Sequence, residues 1–480
     1  MVVSNTTKAL KDIMRMDAGI NGDAQYIEQI TWMLFLKAFD FKEQEWEISE
    51  KGYYPIIPTE YRWCEWADDA EGITGDALLA HVEDMFKALR DLDISDDPKK
   101  RKWLIRTVME GVNNFMKSGT LLRQVINKIN ADLNFEEVKS THLFNGLYEG
   151  MLKDLQSSGK AGEFYTPRPV THFIVEKIDP KLGDTVLDPA CCTGGFLTSV
   201  IDRYKPKTIK EYQKLQSTIR GIEKKPFPYL LCVTNLITHG IDVPDIRHDN
   251  TLRTSVTDYR VQDKVDVIVT NPPFGGAEEK VVSQSVSSEL RNTETADLFL
   301  VHIMALLKDG GRCGLVLPDG FLFGTGAKSA IKRKLLEEHN LHTIVRLPKD
   351  VFAPYTNINT NLLFFEKGKP TTGVWFYRLE MPKGYKHFSK TRPMRDEHFD
   401  PVRDWWDNRE ESEVSLYVSA EDIAANDYNL DLCGFPHDTV EILPPDEFIS
   451  QYLNEKAVIT ARMEDILRRI TIAMKQEDGV

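Results

Sequence analysis

The sequence lacks several features that would assign a chain to a well-known class of protein. Its six cysteines include no C-x-x-C pair, so neither a zinc ribbon nor a disulfide scaffold is credible. No apolar run approaches the roughly 18 residues that a membrane-spanning helix needs, and residues 1–8 show no signal-peptide pattern. No G-x-x-x-x-G-K-[ST] segment is present to cradle phosphates. We therefore expect a soluble, cytoplasmic protein with reduced thiols, no metal site and no membrane contact.

An excess of positive charge is also missing. The sequence has 60 lysine and arginine residues against 74 aspartate and glutamate residues, which gives a net charge of −14. Proteins that bind DNA alone usually carry a basic surface, because contacts to phosphates dominate the affinity. Any contact with nucleic acid is therefore expected through a local patch or through another subunit.

Hydrophobic periodicity predicts the order of the structural elements. Most of residues 5–159 show helical spacing, apart from 51–66, which we expect to form an irregular loop or a small hairpin. From 185 to 365, short apolar runs alternate with helical segments, which indicates a doubly wound α/β sheet. The last strands of this region have no helical segment between them and predict an antiparallel hairpin at the sheet edge. Residues 373–379 could add one strand, and 453–475 have the pattern of an amphipathic helix.

These patterns divide the chain into three regions. We expect a helical N-terminal domain at 1–158, a catalytic α/β domain at 159–368, and an extension at 369–480 that ends in the amphipathic helix.

A strand-to-helix turn at residues 186–196 is the first candidate site. The segment reads VLDPACCTGGF and connects a predicted strand to a predicted helix. In doubly wound folds the crevice beyond such strands holds nucleotide-like ligands, and small residues let the backbone approach the ligand closely. A turn with few glycines that carries Asp188 suits a cationic or amine-bearing ligand better than a pyrophosphate.

Two further acidic residues end the next predicted strands. Glu223 lies at the end of the second strand, where ribose hydroxyls are normally bound. Asp249, followed by Asn250, ends the third strand region and could accept a hydrogen bond from an exocyclic amine. Three acidic residues at successive strand ends favour a functional site over three unrelated surface positions.

The most specific segment is DVIVTNPPF at 266–274, in which an apolar strand runs directly into Asn271, Pro272, Pro273 and Phe274. The two prolines fix the backbone and remove two donors, so that carbonyl oxygens project as acceptors. Together with the Asn271 side-chain oxygen they can hold an –NH2 group, and Phe274 offers a face for a planar ring. We predict methyl transfer from a sulfonium donor to such an amine. The absence of any Pro-Cys step argues against methylation at cytosine carbon 5.

Taken together, these motifs resemble the amino-group (N6-adenine) DNA methyltransferases, and specifically the modification subunits of type I restriction-modification systems. The resemblance runs from about residue 135 to residue 367, and the helical N-terminal region is also similar to that family. It includes GEFYTPRPV at 162–170, which is similar to the segment over the methionine end of S-adenosylmethionine, and a late block at 347–365. The cofactor segments precede Asn-Pro-Pro-Phe, which is the gamma arrangement of these enzymes.

The resemblance implies a Rossmann-like, class I S-adenosylmethionine-dependent methyltransferase fold and a set of site residues. The family usually has glycine where this chain has Cys192, and a Cβ is disfavoured there if the turn requires a positive φ. The residues implied to contact S-adenosylmethionine are Glu163, Tyr165, Thr166, Asp188, Thr193, Gly194 and Glu223, with Asp249 and Asn250 facing its adenine, whereas Asn271, Pro272, Pro273 and Phe274 would act on the target base.

Partners follow from the same resemblance. The chain after residue 367 shows no Arg/Lys-rich recognition helix and no zinc finger, so sequence reading is expected on another polypeptide. The family implies double-stranded DNA as substrate, a separate specificity subunit flanked by two copies of this chain, and a restriction subunit that joins for cleavage. The helix at 453–475 is a candidate docking helix, although packing on its own domain is an equal alternative.

Two alternative functions stay open at this point. Asn-Pro-Pro-aromatic motifs also serve transferases that act on a protein glutamine amide or on guanine in ribosomal RNA. Those chains are usually shorter and lack both a Phe-Tyr-Thr-Pro segment and a helical domain of this size. The second alternative is a scaffold subunit that binds the cofactor weakly, or not at all, because of Cys192.

Overall fold

In the computed structural model the chain forms two compact units, Met1–Pro436 and His437–Val480. The structure describes residues 2–133, 165–275, 284–353, 356–389 and 391–434, together with residue 282 and single positions between 449 and 468. The division at 158 and 368 stays a prediction.

The N-terminal region is a bundle of helices around its long second helix, which is apolar on nearly every side. Trp32, Phe35 and Phe39 of that helix are completely buried, as expected for a helix at the centre of a bundle. The loop expected at 51–66 contains a 3₁₀ turn, Thr59–Tyr61, and one short helix, and it contains no hairpin. The helices of this region are α1 (Val2–Met14), α2 (Asp23–Ser49), α3 (Trp63–Trp66), α4 (Gly75–Arg90), α5 (Arg101–Glu110) and α6 (Gly119–Asp132).

One mixed sheet forms the centre of the rest of the first unit. Its strands are β1 (Val186–Asp188), β2 (Ile219–Glu223), β3 (Asp245–His248), β4 (Val265–Thr270), β5 (Leu307–Pro318), β6 (His339–Arg346), β7 (Thr360–Lys367), β8 (Gly373–Arg378) and β9 (Ser415–Ser419). Their order in the sheet is β3-β2-β1-β4-β5-β7-β6-β8-β9. The predicted fold class is thereby confirmed.

Strands β1 to β5 are parallel, and helices connect most of them. The chain moves outward from β1 to β3 and then returns to the other side of β1 as β4. Strand order therefore reverses between β1 and β4, and ligands of such sheets bind beyond the strand ends at that point. The helices around the sheet are α7 (Arg168–Ile178), α8 (Gly195–Tyr204), α9 (Ile209–Thr218), α10 (Pro226–Thr238), α11 (Thr295–Leu306), α12 (Asp319–Phe323), α13 (Ala327–Glu338), α14 (Asp400–Trp406) and α15 (Ala420–Ala425).

Alternate residues of β4 enter two different cores. Val267 and Val269 belong to the core that also contains residues of α7, which contacts β4, whereas Ile268 belongs to the second core together with residues of α11. This alternation fixes the register of β4, because a slip by one residue would exchange the two sets of side chains. The end of β4, and the Asn271 that follows it, is therefore held in place by both cores.

The second half of the sheet corrects one expectation. The predicted antiparallel hairpin exists as β6 and β7, but it does not lie at the edge: β7 is inserted between β5 and β6, and β8 and β9 continue the sheet beyond β6. Strand β8 confirms the expected strand at 373–379, whereas β9 and α14 were not predicted. The polar stretch after residue 204 also contains a helix that was not predicted, α9, which begins at a capping box of Thr208 and Glu211.

Helix α10 lies between the N-terminal helices and the sheet. Gly111, which follows α5, lies so close to Pro226 that an added Cβ would come within 2.4 Å of the proline Cβ. Just beyond the other end of α10, Asp242 forms a 3.3 Å ion pair with Lys42 of α2. One helix thus contacts both regions of the first unit.

The second unit is described only at single positions. Those between 452 and 468 are helical, and Leu453, Ile459, Met463 and Ile466 are at least half exposed. Ile470 and Met474, which continue the predicted apolar stripe, lie outside the described residues. None of the helices in the described ranges combines the length and the apolar character that crossing a bilayer requires.

Candidate active site

The parallel strands bring the predicted site residues to one edge of the sheet. Asp188 ends β1, Glu223 ends β2, and Asn271 follows the last residue of β4. The register places Asp188 opposite Gly221 on β2, and Leu187 opposite Ile268 on β4. The three polar side chains therefore come from neighbouring carboxyl ends, as the topology requires.

Asp188 is buried at this edge of the sheet. One carboxylate oxygen accepts hydrogen bonds from the Thr270 hydroxyl at 2.6 Å and from the Ala190 amide at 3.1 Å, and the side chain is 1% exposed. Burial raises the pKa of Asp188 to about 7, to which the nearby negative charge of Glu223 adds, while the two hydrogen bonds act in the opposite direction. An acid held in this state gains most from a ligand that carries positive charge or donates hydrogen bonds.

Glu223 holds the loop that follows β1. One of its carboxylate oxygens accepts from the Cys192 amide at 2.9 Å, and the other accepts from the Lys225 amide at 2.7 Å. The neighbouring Cys191 amide donates to the Ile222 carbonyl at 3.0 Å. Two backbone amides of the loop thus donate to the end of β2, one to a backbone carbonyl and one to the Glu223 side chain.

The loop passes through two left-handed residues. Cys192 has a φ of 47° and Gly194 a φ of 79°. Only the glycine adopts this region without steric cost, so the cysteine that replaces the usual glycine stands where its Cβ is unfavourable. This is the condition under which the substitution was expected to matter.

A residue that the sequence reasoning missed also supports the loop. Asn235 of α10 is 1% exposed and donates from its side chain to the Thr193 carbonyl at 2.9 Å. No sequence signal indicated this contact, because 42 residues separate its partners and Asn235 lies in an otherwise apolar helix. Thr270 was missed for the same reason, since it reads as the last residue of a buried strand.

Asn271 is the most unusual polar group of the site. Its amide nitrogen donates to the Thr166 hydroxyl at 2.9 Å, and the side chain is 9% exposed. Its carboxamide oxygen is buried and, among the described residues, has no hydrogen-bond partner. A buried acceptor without a partner costs about 1–3 kcal/mol, so its retention at a cleft points to a ligand that donates to it.

Five of the thirteen predicted site residues line one cleft. Tyr165, Thr166, Asp188, Thr193 and Asn271 line it together with the cysteines of the loop. Glu163 lies outside the described residues. Among the described residues, His, Cys, Asp and Glu side chains form no group of three or more that could hold a metal ion.

The residues that follow Asn271 do not line this cleft. Pro272 is buried and Pro273 is exposed, whereas the ring of Phe274 packs edge-to-face on Phe352 with 5.6 Å between centroids. Phe352 belongs to the late block, so the two aromatic residues come from distant segments of the sequence.

Asp249 and Asn250 follow β3 and are used for local structure. The Asn250 side-chain oxygen accepts from the Leu252 amide at 3.1 Å and caps a 3₁₀ turn, and Asp249 accepts from the Asn250 amide at 2.7 Å. The Asp249 amide donates to the Glu223 carbonyl, which places this turn beside the end of β2. Neither residue lines the cleft that contains Asp188 and Asn271.

Comparisons with known proteins agree with this geometry. The profile of the N-6 DNA Methylase family matches residues 139–438, and that of the HsdM N-terminal domain matches residues 3–129. The chain is 49% identical, over 96% of both chains, to the methylase subunit of the type I restriction enzyme EcoEI from Escherichia coli.

Solved structures of similar proteins extend the likeness to three dimensions. A modification subunit of a type I restriction enzyme from Vibrio vulnificus YJ016 is 42% identical, with a TM-score of 0.79 over 88% of this chain and 93% of that chain. A chain from a study of complex assembly in a type I R-M system is 38% identical, with a TM-score of 0.81 over 97% of both chains.

Proposed function

The chain belongs to the N-6 DNA methylase family, among the methylase subunits of type I restriction enzymes, and from this premise we propose how its cleft works. Its reaction is transfer of a methyl group to N6 of adenine in DNA. Because that amine is inaccessible inside a duplex, the target adenine must be flipped out to reach the cleft.

We propose that S-adenosylmethionine binds beside the ends of β1 and β2 and the loop between β1 and α8. When bound, it supplies a methyl group on a positively charged sulfonium. Asp188 is buried with a pKa raised to about 7, so it is suited to a ligand that brings positive charge or hydroxyl donors. Small residues in the loop allow close approach, and Tyr165 and Thr193 line the same cleft. We assign Glu163, Tyr165, Thr166, Asp188, Thr193, Gly194 and Glu223 to this cofactor region. Asp249 and Asn250 lie outside the cleft, beside the end of β2, and we assign them to the adenine of the cofactor.

The target amine would be held by the Asn271 side-chain oxygen and the Pro272 carbonyl. Two acceptors around one –NH2 group draw its lone pair out of conjugation and fix its direction, which replaces the need for a strong base before attack. Pro273 stiffens this turn, and the Phe274 ring would stack on the base. The observation that carries this assignment is the buried Asn271 oxygen, which has no hydrogen-bond partner in the described part of the chain and lies in the cleft that Asp188 also lines.

Sequence reading is proposed to lie on a specificity subunit, with two copies of this chain per complex and a restriction subunit joining for cleavage. The net charge of −14 supports delegation of DNA recognition to a partner. The exposed apolar positions of the helical tail, which include Ile459, Met463 and Ile466, are the proposed docking surface for the specificity subunit.

The test offers labelled S-adenosylmethionine and four substrates, DNA, transfer RNA, ribosomal RNA and a release-factor protein, with and without the co-expressed specificity subunit. We expect methyladenine in DNA only, and only when the specificity subunit is present. Label in RNA or on a protein glutamine would contradict the proposal.

Calorimetry with S-adenosylmethionine tests the scaffold alternative, in which the unfavourable positive φ of Cys192 weakens cofactor binding. Strong binding of S-adenosylmethionine by the wild-type chain would rule out the scaffold alternative.

A further inference from the structure

The carboxamide of Asn271 has two different ends, and only one of them serves the reaction. The oxygen can accept a hydrogen bond from an adenine amine, whereas the –NH2 end would meet that amine donor to donor. The side chain must therefore be held with its oxygen towards the base, and rotation about its last torsion would lose the contact. Terminal torsions of asparagine are broad, so a fixed orientation needs a partner for the nitrogen.

Thr166 is that partner in the structure. Its hydroxyl lies 2.9 Å from the Asn271 nitrogen, while the oxygen at the other end of the carboxamide is buried and has no partner among the described residues. The Thr166 hydroxyl accepts from the nitrogen in the structure, so the oxygen is left to accept from an incoming amine. With the nitrogen already paired to Thr166, the orientation that presents oxygen satisfies every polar group of Asn271 at once.

The position of Thr166 is itself fixed by its neighbours. Pro167 restricts the backbone directly after it, and α7 begins at Arg168. The Arg168 guanidinium donates to the Gly195 carbonyl at 2.9 Å and to the Thr198 hydroxyl at 2.6 Å, both in the first turns of α8. The segment that carries Thr166 is thus attached to the helix that begins at the cofactor loop.

We propose that Thr166 is a positioning residue for methyl transfer, which orients the Asn271 carboxamide by accepting from its nitrogen. This inference rests on the proposed function, and it gives Thr166 a role towards the target base in place of the cofactor contact assigned above. The bond spans 105 residues of sequence and joins the segment before α7 to the end of β4.

The test compares Thr166→Val, which keeps the shape and removes the hydroxyl, with Thr166→Ser, which keeps the hydroxyl. It uses the complex with the specificity subunit and measures kcat, KM for S-adenosylmethionine, and cofactor affinity by calorimetry. We expect kcat to fall about 10- to 100-fold in Thr166→Val, because Asn271 loses the partner of its nitrogen. Cofactor affinity should stay within about twofold, and Thr166→Ser should recover most of the rate. Thr234→Val, which removes a buried hydroxyl within α10, is the matched control.

A double substitution separates positioning from a general structural role. If Thr166 acts through Asn271, adding Thr166→Val to Asn271→Ala should lower kcat by no more than about twofold further. A Thr166→Val enzyme that keeps its kcat, or that loses cofactor affinity in proportion to activity, would overturn the inference while leaving the proposed function intact. A wild-type complex that fails to methylate DNA would overturn both.

Discussion

The proposed cofactor and base regions of the site, called here the cofactor wall and the base wall, differ in how their polar groups are satisfied. On the cofactor wall, formed by Asp188, Glu223 and the loop between β1 and α8, the carboxylates accept hydrogen bonds from within the chain. On the base wall, formed by Thr166 and residues 271–274, the buried Asn271 oxygen has no partner among the described residues. The fold satisfies the polar groups of the cofactor wall. On the base wall it leaves one buried acceptor unpaired, which lowers the stability of the folded chain by about 1–3 kcal/mol. Substitutions on the two walls should therefore separate stability from catalysis.

The largest effect is expected on the base wall. Asn271→Ala should lower methyl transfer by about 10²- to 10³-fold, because an acceptor that holds the amine in the transition state is lost. Cofactor affinity should change by no more than a few-fold, and the melting temperature should not fall, since the alanine leaves no buried oxygen unpaired. Methyl incorporation, calorimetry and thermal unfolding measure the three quantities. A loss of cofactor binding as large as the loss of transfer would show that Asn271 belongs to the cofactor wall. Asn127→Ala, in α6, is the control.

The opposite pattern is expected for Asn235→Ala on the cofactor wall. The substitution leaves the Thr193 carbonyl without its 2.9 Å donor and should lower the free energy of unfolding by about 1–3 kcal/mol. Cofactor affinity should fall by about 10- to 30-fold as the loop loosens, with a smaller change in kcat. Thr234→Val, one residue earlier in α10, should lower stability without this loss of affinity. Equal affinities in the two variants would mean that the Asn235 bond does not support the loop.

A pH dependence follows from Asp188, whose pKa burial raises to about 7. A ligand with positive charge favours the ionised carboxylate, so S-adenosylmethionine affinity should rise roughly tenfold from pH 6 to pH 8 and level off above that.

The stability of the chain without ligand should depend on pH in the opposite direction. The unfolded chain releases this proton near pH 4 and the folded chain near 7, so the contribution of Asp188 to stability declines as pH rises between those values. Asp188→Asn should flatten both curves, and a slope that persists in this variant would assign the proton to another group.

The smallest effect concerns Cys192. Replacing it by glycine relieves a left-handed φ of 47°, worth about 1 kcal/mol, but increases the entropy of the unfolded chain by a comparable amount. We therefore expect little change in stability and a gain of about threefold in cofactor affinity. Calorimetry of Cys192→Gly beside the wild type measures it. A gain of a hundredfold would instead favour the scaffold alternative for the natural chain.

The parts of the fold that the sequence predicts are those set by local periodicity. Apolar runs at 185–187, 219–222 and 265–269 predict strands, and helical segments are predicted at 196–203, 228–237 and 296–307. Strands β1, β2 and β4 and helices α8, α10 and α11 lie within a few residues of these positions, because such runs are continuous in sequence. The insertion of β7 between β5 and β6 was not predicted, since strand order depends on pairing between distant segments. Strand β9 was missed because it is a five-residue edge strand with exposed side chains.

The same distinction applies to the candidate site. The motifs predicted which residues would gather, and Tyr165, Thr166, Asp188, Thr193 and Asn271 do line one cleft. The hydrogen bonds that orient them were not predictable, because they join residues 42 to 105 positions apart. Residue types and spacing indicate a reaction, but the partner of each polar atom depends on the packed structure. The role of each residue stays a prediction that the variants above test.

Helix α10 links the N-terminal helices to the loop between β1 and α8. Through Gly111, which packs on Pro226, and Lys42, which pairs with Asp242 beyond its end, it contacts the N-terminal helices, while Asn235 holds the cofactor loop. A shift of the N-terminal helices that displaces α10 and moves Asn235 would change the free energy of occupying the loop. By thermodynamic reciprocity, occupancy of the loop changes the free energy of that shift by the same amount.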